Sequence, residues 1–190
     1  MCKLPANSLI KINNNILTIN PELTIIYLSS KLNYYELALL IHEFMGTFSI
    51  TNNLEEKFMT NLPPITTKKK LQKYIVLYKK TNPRFNGAAK IKDILNFTSE
   101  NSASPMESRL YIKLCGPRLK GLYGCKNLKL NEGVELSNSA SKIAGQRIIK
   151  PDISNKEHKV AIEYDSSQFH ESVEQGQKDK RRRDALVHDG

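Results

Sequence analysis

Two short runs of this chain end in carboxylates. They are Ile148-Ile149-Lys150-Pro151-Asp152 and Lys159-Val160-Ala161-Ile162-Glu163-Tyr164-Asp165. Both are rich in β-branched residues, and the polar stretch between them suits a hairpin turn. Side chains alternate along a strand, so Ala161, Glu163 and Asp165 project from one face. If the two runs pair, Asp152 and Glu163 meet near one sheet end. Carboxylates that converge resist ionising together, and a divalent cation relieves the repulsion. A donor set made only of oxygens suits Mg²⁺ or Mn²⁺ better than Zn²⁺. An ion held there polarises a phosphate, lowers the pKa of a bound water and offsets charge in the transition state of phosphodiester hydrolysis. The same acids also fit an ordinary solvated hairpin, and their spacing alone does not choose between the two.

A wider pattern does choose. Pro151-Asp152, then Glu163-x-Asp165, then His170, Asp179, Arg181 to Arg183 and Leu186 together resemble the PD-(D/E)XK, or restriction-endonuclease-like, superfamily. The branch they look like is the very-short-patch-repair-like endonuclease domain of bacterial proteins of unknown role. Its second motif is typically E-x-D-G followed by a histidine; here it reads Glu163-Tyr164-Asp165-Ser166-Ser167-Gln168-Phe169-His170. Upstream, Ser102 to Leu110 looks like the opening helix of that domain, with Glu107 at the position that often completes the acidic site. Ser104-x-x-Glu107 with Pro105 is equally a capping box, so a purely structural role for Glu107 stays open. His42-Glu43-Phe44-Met45-Gly46-Thr47-Phe48 and Gly121-Leu122-Tyr123-Gly124 are also similar to proteins carrying this domain.

The resemblance implies a DNA endonuclease that uses Mg²⁺ or Mn²⁺, in repair, mobile-element transfer or phage defence. Asp152 and Glu163 would hold the metal, beside the carbonyl of Tyr164. The usual motif lysine is replaced by Asp165, so Asp165 and His170 are expected to position or activate water. Lys178, Arg181, Arg182 and Arg183 are expected at phosphates, and Asp179 at an arginine, at His170 or in an exposed ion pair. The implied fold is α/β (α+β): a helix, two hairpin strands and a helix, lacking the last strand because the sequence stops at His188-Asp189-Gly190. Two other readings remain open. One is a catalytically inactive nuclease fold that binds DNA. The other is a toxin-like or partner-binding module.

The elements that must position these residues follow from periodicity. Helices are expected over residues 32–44, 68–80, 88–97, 105–115 and 173–188. Thr24 to Leu28 reads as a short strand, and the runs 146–153 and 159–165 read as the hairpin. Residues 1–100 form a mostly helical region of unknown role, and residues 101–190 form the nuclease domain. His42 reads as a structural histidine rather than a ligand. The lysines of 68–80 suit either phosphates or a solvated helix face.

Bulk composition sets the frame. The chain has 190 residues and a net charge of +10, which attracts polyanions, nucleic acid first among them. Three scattered cysteines offer no C-x-x-C pair, which argues against a thiolate zinc site or a disulfide framework. The longest apolar run, residues 37–41, is too short to span a membrane. With no apolar leader, the expected location is the cytoplasm. Oligomeric state stays open.

Overall fold

A computed structural model of the chain describes residues 3–51, 58–164 and 173–189. It is a mixture of helices and small antiparallel sheets, divided into two compact units, residues 1–125 and 126–190. No helix among the described residues is long and apolar enough to cross a membrane.

The first unit is mainly five helices: α1 (Pro21–Leu28), α2 (Tyr34–Met45), α3 (Lys68–Thr81), α4 (Gly87–Phe97) and α5 (Pro105–Cys115). Two hairpins accompany them, β1 (Leu9–Lys11) with β2 (Leu17–Ile19), and β3 (Ser49–Ile50) with β4 (Phe58–Met59). Four of these five helices, all but α4, start at a residue whose side chain caps the first turn. Asn33 accepts from the Glu36 amide while Glu36 reaches back to the Asn33 amide, which closes a capping box on α2. On α3 and α5 the Thr67 and Ser104 hydroxyls each accept from the amide three residues on, without the reciprocal bond. The helices bury Ile25, Leu37, Ile41, Leu71, Ile75, Ile91, Ile94 and Ile112 in one shared core.

Three expectations change here. Thr24 to Leu28 is not a strand. It lies in α1, which Asn20 starts by accepting from the Leu23 amide at 2.7 Å and which has Pro21 in its first turn. Leu23, Ile25 and Ile26 then face the core, and tertiary burial overrides the β preference of the Ile-Ile pair. The compact division falls after Cys125, not at residue 100, because α5 packs on the N-terminal helices through Ile112 and Tyr111. Glu107 therefore belongs to the first unit. Its carboxylate accepts from the Ala103 amide at 3.0 Å, one residue before the cap.

The second unit holds β5 (Lys129–Leu130), β6 (Val134–Glu135), α6 (Asn138–Ala144), β7 (Ile148–Ile149), β8 (Ile153–Asn155), β9 (Val160–Ile162) and α7 (Val173–Asp189). Leu130 stands opposite Ile153 and Val134 opposite Ile149, so β5–β6 and β7–β8 share one register. They form a single antiparallel ladder broken where residues 131–133 face 150–152. Buried Pro151 has no N–H for the ladder, and Asn131 opposite the break takes the left-handed region (φ 50°). The expected strand 146–153 is thus two short pieces flanking a proline. Helix α6, absent from the sequence reading, fills the β6–β7 connection. Ser137 caps it and Gly145 ends it at φ 69°, a conformation glycine adopts without strain. Leu136, Ala140, Ile149 and Ala185 form this unit's core, joining α6, β7 and α7.

His42 lies fully buried in α2, tilted against Tyr111. Neither ring nitrogen has a hydrogen-bond partner among the described residues. Burial, aided by the Lys68 charge, pushes its pKa down to about 3. The folded state therefore rejects a proton that the unfolded chain accepts near its ordinary value. Stability from this residue is complete above about pH 6.5 and declines by roughly 1.4 kcal/mol per pH unit below it, until the folded value is reached. Urea titrations across pH 7 to 4 should show a shallower acid loss for His42→Phe than for the native chain; parallel curves would count against this account. In the same assay, Ile41→Ala should cost about 2–5 kcal/mol, because the side chain is fully buried.

Candidate metal and phosphate site

The site is built on the β8–β9 hairpin. Ile153 pairs with Ile162, Ser154 with Ala161 and Asn155 with Val160. One step further along the same register, Asp152 stands opposite Glu163, a position whose side chains share one face of the sheet. The turn that fixes this register is closed by Asn155, whose side-chain oxygen accepts from the His158 amide at 3.1 Å. Asn155 also donates to the Lys126 carbonyl, which ties the hairpin to the start of the unit.

Beyond Ile153 and Ile162 the ladder is continued by side chains. The Asp152 carboxylate accepts from the Tyr164 amide at 2.7 Å. The Asp152 amide in turn donates to the Glu163 carboxylate. Burial raises the Glu163 pKa above the ordinary glutamate range, and the Asp152 charge raises it further. Arg182 and the Asp152 amide act in the opposite sense, while Asp179 adds a smaller upward push.

One cation meets the acids. Arg182 sits on α7 with Nη2 at 3.5 Å from Glu163 Oε1 and 3.3 Å from the Lys150 carbonyl. Its Nη1 lies 3.7 Å from Asp179, one helical turn back. Its Nε is buried and has no hydrogen-bond partner among the described residues. Asp179, Arg182, Ala185 and Leu186 fall at helical spacing on one side of α7, and the last two pack in or against the core. That phase turns Arg182 inward and leaves Lys178, Arg181 and Arg183 exposed. Arg181 bends back to the Gln177 carbonyl.

The structure thus brings together Asp152, Glu163, Arg182 and Asp179. Asp165 and His170 lie outside the described residues. Glu107 lies in the other unit, closing the start of α5. Among the described residues, no group of three or more His, Cys, Asp or Glu side chains is arranged to hold a metal ion. Two features escaped the sequence reading. The choice of Arg182 among three arginines needed the helix phase set by Ala185 and Leu186. The buried Ser154 hydroxyl, two residues from Asp152 and without a hydrogen-bond partner among the described residues, carried no motif at all.

The electrostatics predict an order of titration. Carbon-detected NMR should find Glu163 titrating above ordinary glutamates. Asp152→Asn should lower that value and Arg182→Gln should raise it. Because the folded pKa is raised, ionising Glu163 costs stability as pH climbs from its unfolded value through its folded one. An unchanged Glu163 titration in both variants would contradict the facing geometry.

No family model, no curated protein and no solved structure matches this chain.

Proposed function

We propose that the second unit carries the site of a divalent-metal-dependent DNA endonuclease of restriction-endonuclease-like architecture. The observation that carries this reading is the facing pair of Asp152 and Glu163, in which one acid already resists ionising because of burial and the other. The strand order adds support. An antiparallel β5–β8–β9 sheet precedes α7, with Pro-Asp at the head of the central strand and the glutamate at the end of the next.

The donor set fits Mg²⁺ or Mn²⁺. Two carboxylates offer hard oxygens from one face, and ionising them together calls for positive charge. The Tyr164 carbonyl is a third oxygen, since Pro151 stands opposite it in the register and has no N–H to donate. Once bound, the ion supplies Lewis-acid polarisation of the phosphate and a more acidic water. The chain's own groups do the rest. Asp152 and Glu163 hold the ion. Arg182 holds Glu163 in place from α7 and limits its repulsion with Asp152. Lys178, Arg181 and Arg183 lie on the exposed side of α7, suited to the DNA backbone. Asp165 and His170 retain the roles that the resemblance gives them, orienting water and accepting its proton.

Arg182 also favours a second reading. A guanidinium beside Glu163 partly supplies the charge that a metal would supply, which suits an inactive nuclease fold that binds DNA without cutting it. Supercoiled plasmid and linear DNA, each with Mg²⁺, with Mn²⁺ and with chelator, decide between the two. The proposal expects nicking with either ion and none with chelator. Asp152→Asn and Glu163→Gln should each reduce the rate by more than the roughly 10–100-fold typical of losing a metal's outer partner, with the thermal midpoint preserved. Nicking that survives both substitutions, or binding without nicking under any ion, would remove the endonuclease assignment.

A further inference from the structure

We propose that the α3–α4 face of the first unit is a separate surface for the phosphate backbone of DNA. Helix α3 carries six lysines and no acid. Lys69, Lys73 and Lys80 recur at spacings of four and seven residues, which places them along one exposed stripe. Lys79 and Lys80 on α3 and Lys92 on α4 rim a groove of about 280 Å³ floored by Ile75 and Val76.

The charge on this face is mostly basic. Among the described residues, Lys69, Lys73, Lys79, Lys80 and Lys92 make no ion pair. The one acid beside Lys92 on α4, Asp93, turns toward Tyr34, whose hydroxyl donates to it at 2.7 Å. Lys68 differs from the rest. Its amide and ammonium are tied to Glu100 and the Thr98 carbonyl, so it anchors the helix.

Dimensions and chemistry select the occupant. From Lys69 to Lys80 the helix rises about 16 Å, roughly five base-pair steps of a duplex backbone. The apolar floor is only two side chains wide. A helical peptide seated in a groove needs apolar anchors over several turns, whereas a sugar–phosphate strand needs a row of cations with little apolar area. Lysine supplies point charges without reading bases, so binding is independent of sequence. Choosing DNA over another polyanion rests on the nuclease reading of the second unit; the surface itself does not.

The test uses the full chain, a labelled random-sequence duplex and chelator throughout, so that cleavage plays no part. Lys79→Gln with Lys92→Gln should weaken binding about tenfold and reduce the slope of log affinity against log salt by about two, near 0.9 per lost phosphate contact. Lys11→Gln with Lys113→Gln removes equal charge from exposed sites elsewhere and should change affinity less than threefold. All four side chains are exposed, and thermal midpoints check folding. Unchanged affinity and slope in the groove variant would overturn the proposal. So would equal losses in both variants, or binding to polyglutamate but not to DNA. If plasmid is never nicked yet the groove variant loses affinity, the surface stands and the nuclease reading falls; nicking with an unaffected groove variant gives the reverse.

Discussion

Everything proposed for the second unit depends on the register of one short hairpin. A strand slip of one residue would turn Glu163 to the opposite face and remove it from Asp152. The register is held by more than the three residue pairs of the ladder. Asn155 closes the turn at one end, and the exchange of backbone amides with the two carboxylates latches the other. The acids are thus part of the strand pairing as well as the chemistry. Their mutual repulsion is tolerated because each is given an amide and one of them a guanidinium.

The two units manage charge differently. In the second, the facing acids Asp152 and Glu163 are crowded and only partly compensated. In the first, the lysines of α3 are spread along a solvated face while the buried histidine is kept neutral. A net charge of +10 therefore has structure within it. One part is a row of exposed lysines on α3. Another part, Arg182, is engaged through both terminal nitrogens by Glu163, the Lys150 carbonyl and Asp179. Composition alone could not separate them, because a lysine in a stripe and an arginine in a cluster count equally.

Much of the helical framework was legible. Ser104, Pro105 and Gly116 mark both ends of α5, and Thr67 and Asn82 bracket α3 as their cap chemistry implies. The misread segment, α1, is short and contains a β-branched pair, so its local preference opposed its burial; Asn20-Pro21 was the overlooked signal. Helix α6 was missed because Asn138 to Ala144 is mostly small and polar, with little apolar period to detect. The acidic pair was visible as alternation and spacing on two β-prone runs. Its neighbours were not, since the depth of Arg182 depends on which side of α7 packs against Ile149 and Ala140.

Pro151 divides the second unit mechanically. On one side of it, β8 and β9 carry Asp152 and Glu163 together. On the other, β7 is packed with α6 and α7, and α7 carries Arg182. Where the ladder is broken, Pro151 separates two arms: the acids sit on the β8–β9 side and their counter-charge on the β7–α7 side. Glu163 and Arg182 therefore meet across the break rather than within one strand pair.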